Sequence, residues 1–232
     1  MKQKASKDNA RMAALAGARA RLYAVLVGIF NRLPDDAFLS DIQGARLQGL
    51  LETCRDMNPG GFKPAVARIR AYLKSVQKTP PTKILKELSV DRTVVLRGTG
   101  HKDLKPPHEG LYTSQKNPGN AILAIKSAYR QAGLMPDEAV CESPDYLCVE
   151  LDFMRCLCRR EEKQWQNKQE TGPCRLAQVS FLKEHLGRWV PDFCRQTRKH
   201  ARTDFYKGFA MLMENFIKMD MAYLEDLKIT SI

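Results

Sequence analysis

Apolar side chains recur along this chain at steps of three and four residues, the spacing that stacks them on one face of an α-helix. Leu15, Ala18, Leu22, Val25, Leu26, Ile29 and Leu33 form the first set, and its helix should stop before Pro34. Ile42, Leu47, Leu50, Leu51 and Cys54 form a second, closed near Asn58-Pro59-Gly60-Gly61. Val66, Ile69, Tyr72, Leu73 and Val76 form a third. Thr79-Pro80-Pro81 opens the next segment, because a first helical turn accepts proline. Ile122, Ile125, Ala128, Tyr129 and Ala132 predict a short helix stopped by Gly133. From Pro144 the pattern runs through Leu147, Glu150, Leu151, Met154 and Leu157 to about Trp165, followed by a polar break over 166–173. The last third predicts one helix from about Leu176, kinked or split by Pro191, and another from about Thr203 to Leu227. Strict alternation over a strand length is absent. The fold class is all-α, a multi-helix bundle.

Two stretches interrupt the periodicity. Gly98–Gly119 carries several Gly and Pro residues and reads as a long loop, ordered or mobile, of the kind usually tied to function. Leu134–Pro144 contains Pro136 and Pro144 and could link two helical lobes. The expected organisation is a larger lobe over 1–141 that carries the 98–119 loop, a hinge near Glu142–Tyr146, and a smaller lobe over 142–232, together one domain.

Composition excludes several classes. Hydrophobic residues at 44% and charged residues at 28% match an ordinary globular domain, so neither a disordered tail nor a fibrous repeat is expected. The 38 Lys+Arg against 26 Asp+Glu give +12, which favours anionic partners at long range but fixes none. The 7 cysteines are odd in number and scattered, unlike a secreted disulfide framework; reduced thiols in the cytoplasm fit better. No export or membrane segment is expected. The best candidate, Leu22–Phe30, is closed by Arg21 and Arg32 and falls short of the roughly 20 residues a span needs, so it reads as the buried face of a soluble helix.

Candidate chemistry is thin. Cys141, Cys148, Cys156 and Cys158 suggest a metal site, but no C-x-x-C occurs, and Cys156 and Cys158 stand about 200° apart on a helix. Small buried hydrophobes is the better reading. Arg195, Arg198, Lys199 and Arg202 share one helical face and could neutralise phosphates, yet no aromatic platform accompanies them, so a nucleic-acid partner ranks last. His101, His108, His185 and His200 are dispersed, with no HExxH, nucleophile elbow or dinucleotide fingerprint, and His185 reads as structural. No enzyme is expected.

Three longer signatures carry a resemblance: Asp91–Tyr112 (DRTVVLRGTGHKDLKPPHEGLY), Pro144–Met154 (PDYLCVELDFM) and Phe181–Cys194 (FLKEHLGRWVPDFC), the last followed by Ala201 and Phe205-Tyr206. In this order and spacing, over about Arg11 to Leu224, the chain resembles the TorD/DmsD family of cytoplasmic chaperones, which bind precursors of molybdopterin-dependent oxidoreductases. Asp91, Val95, Leu96, Gly98 and Gly100 match the first family motif, with Arg92 in an aromatic position and Thr99 in a proline position. Pro106, Pro107, Glu109 and Tyr112 match its second half, with His108 in an aromatic position. Pro144 and Asp145 are kept, and Tyr146 replaces the family histidine of the Asp-His pair tied to signal-peptide recognition. The third signature, with His185, Trp189, Pro191 and Phe193, reads as structural.

The resemblance implies a cytoplasmic chaperone that performs no chemistry, needs no metal, and holds a precursor by its twin-arginine signal peptide or its body until cofactor insertion. The alternative is an assembly chaperone for a nitrate-reductase-like or other respiratory complex, without twin-arginine recognition. Weak guanine-nucleotide binding is implied by the family alone, and no P-loop is present. The chain would act as a monomer or a domain-swapped dimer. A signal peptide of this type calls for an apolar groove edged by carboxylates. Val94, Val95 and Leu96, with Pro106, Pro107, Leu111 and Tyr112, would line it. Arg92, His108, Glu109 and Tyr146 would border it. Glu142 and Asp145 would receive the guanidinium groups, although an Asp ahead of an apolar helix is equally an N-cap. Glu138, Glu142, Asp145, Glu150 and Asp152 gather negative charge around the hinge, although Glu150 and Asp152 read equally as caps or braces of that helix.

Overall fold

A computed structural model describes residues 2–57, 59–101, 103–113, 118–136 and 143–229. Among them the regular structure is helical throughout, with one antiparallel bridge between His108 and Tyr146. The helices are α1 (Lys2–Asn31), α2 (Asp36–Gln43), α3 (Ala45–Met57), α4 (Pro59–Ser75), α5 (Pro81–Arg97) and α6 (Glu109–Thr113). They continue as α7 (Pro118–Gln131), α8 (Leu147–Gln166), α9 (Gly172–Phe181), a π-helical turn (Leu182–Leu186), α10 (Gly187–His200) and α11 (Asp204–Ile229). The all-α expectation holds. The loop expected over 98–119 contains the one-turn helix α6, and the second expected helix is two, parted at Gly44. There Asp35 caps α2 by accepting from the Phe38 N–H at 2.7 Å, and Gly44 turns the backbone out of helical geometry.

The chain packs as two compact units. The first comprises Met1–Val27, His108–Trp189 and Lys218–Ile232, and the second Gly28–Pro107 and Val190–Ile217. The expected lobe division between residues 141 and 142 falls outside the described residues.

In the first unit, Ala13, Ala16, Ala20, Leu22, Tyr23 and Leu26 of α1 are buried. Lys7–Asn31 is long and apolar enough to cross a membrane by length and composition, but 56% of its most apolar window is buried in the protein. Within that stretch Arg19 is itself buried. It donates to Asp220 and Gln178, and pairs with Glu161 at 2.8 Å. Tyr23 adds a bond to Asp220 at 2.7 Å, and Gln178 and Trp165 donate to Glu161 at 3.0 and 3.2 Å. Burial alone would disfavour the guanidinium charge, yet the two carboxylates hold it firmly protonated. Tyr129, Phe153 and Phe181 form a second buried cluster, with centroids 4.6–5.8 Å apart.

In the second unit, Phe38, Tyr72 and Phe209 surround Phe205, and Phe30 meets Phe193 at 6.1 Å. Asp91, buried on α5, accepts from the backbone N–H groups of Arg202 (2.7 Å) and Thr203 (2.8 Å) and from the Thr203 hydroxyl, so it fixes the turn that starts α11. Helix α5 ends where Gly98 takes φ +64° and a side chain would collide with the Leu104 carbonyl.

The sequence placed the interruption of the late helix at Pro191. The structure places it a turn earlier, in the π-helical turn. Proline has no N–H for the carbonyl of Gly187, and its ring crowds that oxygen. The Gly187 N–H reaches back five residues to the Leu182 carbonyl, and a Cβ at Gly187 would stand 2.5 Å from that oxygen. The extra residue in this turn changes the direction in which Glu184 and His185 leave the helix, and such turns recur at functional sites.

Candidate functional site

The site grows from a short extended contact. His108 and Tyr146 pair as a β-bridge, their rings 5.3 Å apart, and the Glu109 N–H donates to the Asp145 carbonyl at 2.9 Å. Asp145 departs from one of its two expected roles. Its side chain does not cap α8, whose N-cap is Tyr146 with no side-chain bond. It accepts instead from the Gly110 N–H at 3.1 Å, and so caps the short α6 from a distant part of the chain. Ser143 donates to the same carboxylate at 2.6 Å, and His108 Nδ1 lies 3.3 Å from it. Burial would raise the Asp145 pKa, but the bonds from His108, Ser143 and Gly110 outweigh it and hold the carboxyl below the usual aspartate value.

That cap fixes Glu109 at the start of α6. Glu109 is 3% exposed and meets Nδ1 of His185, 5% exposed, at 2.8 Å. The Phe181 ring lies 4.8 Å from the imidazole. Behind them Glu150, fully buried, accepts from Trp189 Nε1 at 3.2 Å through Oε2, while its Oε1 has no partner. Burial, reinforced by the charge of Glu109, raises the Glu150 pKa well above the ordinary value. His185, expected to be structural, and Glu150, expected either in the acidic patch or as a helix brace, thus belong to one polar cluster. Asp152 does brace α8, through Arg155 at 2.6 Å.

Glu109 and His185 also line a cleft of about 870 Å³ that lies wholly within the first unit. Helix α7 presents Ala121, Ala124, Ser127, Ala128 and Gln131 to it, and α9 presents Pro173, Leu176, Ala177 and Ser180. Phe153 and Phe181 contribute aromatic wall, and Glu184 and Arg188 line the cleft as well. Small side chains on α7 and α9 keep the trough open. Leu176 on its wall and Leu123 nearby on α7 are among the few large apolar side chains left exposed.

The expected site residues divide. Glu109 lines the cleft; His108, Asp145 and Tyr146 build the contact that places it; Tyr112 packs on Trp189 with centroids 5.4 Å apart. Arg92, Val95, Leu96, Pro106 and Pro107 belong to the second unit. Val94, Val95 and Leu96 are buried, so the aliphatic run expected to wall a groove is a core face instead. Arg92 donates to the Asn31 carbonyl at 2.8 Å. Glu138 and Glu142 lie outside the described residues. The basic stripe is largely matched by acids: Arg195 pairs with Asp192 at 2.8 Å, Arg198 with Glu214, and Lys199 with Asp103 at 2.5 Å. Cys156 lies beside Asp152 and Arg155, whereas Cys158 is buried against Gln178 with its thiol pKa raised by desolvation.

Comparison with known proteins decides the family. A model described as the nitrate reductase delta subunit matches residues 58–195, more than half of the chain. The chain belongs to the nitrate reductase delta subunit family. Every residue that lines the cleft falls inside the matched range. Relatives in this family bear out the resemblance to TorD-type proteins. The chain is 30% identical over 120 residues to a perchlorate reductase assembly chaperone of Dechloromonas aromatica, covering 52% of each chain. It is 33% identical over 92 residues to a TorD chaperone of Vibrio parahaemolyticus, covering 40% of this chain and 42% of that one. With a TorD chaperone of Shewanella pealeana it shares 22% identity over 216 residues, covering 89% of this chain and 90% of the relative. The chain thus spans about half the length or less of the first relatives named, and most of the third.

Proposed function

We propose that this protein is a maturation chaperone for the precursor of a molybdopterin-dependent oxidoreductase, and that the α7–α9 cleft holds an apolar segment of that precursor. The family match over residues 58–195 carries the reading, and the chaperone names of the relatives support it. The finer reading is that the segment is the twin-arginine leader, read as a helix laid in a groove. Each large apolar side chain buried in the trough contributes roughly 1.5–3 kcal/mol. Ordering each leader residue costs about 1–2 kcal/mol of backbone entropy. Several apolar anchors are therefore needed. The alanines and serines of α7 and α9 let a helix approach closely, while Leu176, Phe153 and Phe181 offer contact area. The protein holds its client and makes no covalent bond.

The test is a fluorescence titration of the full chain with a synthetic peptide bearing an Arg-Arg pair ahead of an apolar helix-forming stretch. Ala124→Trp and Ala177→Trp, which fill the cleft from either side, should each weaken binding about tenfold or more, a change of about 1.4 kcal/mol, with little change in melting temperature. Unaltered binding by both variants would overturn the assignment of the cleft.

A further inference from the structure

We infer that the second unit holds an internal binding site for one water molecule, formed by the hydroxyls of Tyr72 on α4 and Tyr206 on α11 and by Nε of Arg92 on α5. All three residues belong to that unit. The Tyr206 side chain is fully buried and Tyr72 is 7% exposed. Both hydroxyl oxygens, like Arg92 Nε, are closed to solvent and have no hydrogen-bond partner among the described residues. Leaving one buried hydroxyl or N–H unbonded is costly, and three in one neighbourhood call for a common partner.

Fixed contacts bring the three elements together. Asp91, the residue before Arg92, accepts from the N–H groups of Arg202 and Thr203 and from the Thr203 hydroxyl. That sets α5 against the start of α11, three residues ahead of Tyr206. Arg92 Nη2 is taken by the Asn31 carbonyl at 2.8 Å, and the ring of Phe30, next to Asn31, lies 6.2 Å from that of Tyr206. The Tyr72 ring lies 5.7 Å from Phe205, the neighbour of Tyr206 in the chain. Electrostatics agree with this placement: Arg92, Asp91 and Tyr72 all act on the Tyr206 hydroxyl, and Asp91 acts on that of Tyr72. Burial raises the pKa of both phenols, so each keeps its proton.

The chemistry selects the ligand. Arg92 Nε can only donate, whereas a phenol hydroxyl donates or accepts. The ligand must accept from the guanidinium and exchange either role with the two hydroxyls. Water does both, and about three bonds is the usual number for an internal water. Arg92 and Asp91 act on the Tyr206 hydroxyl with opposite sign, so the site has little net charge and favours a neutral ligand over an anion. Bound there, the water joins α4, α5 and α11 and, through Arg92 and Asn31, the end of α1. Arg92, expected to border a client groove, then works as an internal strut.

The experiment joins a crystal structure of the full chain, in which ordered water is visible, to a double-variant cycle in urea unfolding. The crystal structure should show one water bonded to Tyr72 Oη, Tyr206 Oη and Arg92 Nε. Y72F and Y206F should each raise the unfolding equilibrium constant about tenfold. The double variant Y72F/Y206F should fall well short of the roughly hundredfold that independent sites would give, because both substitutions break the same bridge. A direct bond between the two hydroxyls, a salt ion between them, or a space with nothing in it would overturn the inference. Single effects that multiply fully in the double variant would overturn it too. Should a Phe variant fail to fold, the wild-type crystal structure decides alone.

Discussion

Two polar clusters are buried in the first unit, and they are built on opposite terms. Around Arg19 the guanidinium meets Asp220, Glu161 and Gln178, and the carboxylates gain further donors from Tyr23, Trp165 and Gln178. Around Glu109 there are three buried acids, Glu109, Asp145 and Glu150, whose side-chain partners among the described residues are histidines, a serine and an indole. One oxygen of Glu150 is left without a bond, and the cluster opens onto the cleft. A saturated network stabilises one arrangement of α1, α8, α9 and α11. An under-partnered one beside an opening keeps acceptor capacity for a visitor.

The largest expected effect tests the saturated side. Arg19→Leu strands two buried carboxylates and should cost about 3–5 kcal/mol, the range for breaking one half of a buried ion pair. Urea unfolding measures it, and a loss below about 1 kcal/mol would show that the network is not needed for stability.

Asp145→Ala comes next. It removes the acceptor of the Gly110 N–H and should cost about 1–3 kcal/mol, with peptide binding falling only as Glu109 loses its place. Because the folded pKa of Asp145 is lowered, its contribution is present above the ordinary aspartate value and is lost as pH falls through the folded one. The variant should therefore show a flatter acid limb in thermal unfolding, and a limb as steep as wild type would contradict the capping role.

Glu150→Gln should have the smallest effect, and of opposite sign. The folded pKa of Glu150 is raised, so the folded protein holds this proton where the unfolded chain has released it, and stability declines as pH rises above the ordinary value of 4.5. A neutral amide removes that decline. The variant should be slightly more stable than wild type at neutral pH and equal to it in acid; a loss at neutral pH would mean that Glu150 is needed as an anion.

The sequence announced the helices because their buried faces follow a local period. The resemblance of their motifs to the TorD/DmsD family singled out Glu109, Asp145 and Tyr146, and the structure brings the three together. The sequence could not announce their partners. Glu109 and His185 are 76 positions apart, and Arg19 reaches residues 142, 159 and 201 positions away, distances that leave no local trace. Val95 and Leu96 misled for a different reason: an aliphatic run reads the same whether it walls a groove or seals a core. The cleft had a signal of its own in Ala121, Ala124 and Ala128, spaced three and four apart on α7, with Ala132 just past its end, where small residues mark a face that stays open. The π-helical turn had none beyond Pro191, whose steric demand is met one turn upstream.

Amide hydrogen exchange of the full chain, with and without the Arg-Arg leader peptide, tests the assignment of the cleft most directly. The expected result is added protection over 118–131 and 172–181, the helices that face each other across the trough, with α5 over 81–97 unchanged. Protection concentrated on α5, with α7 and α9 exchanging as in the free protein, would contradict it.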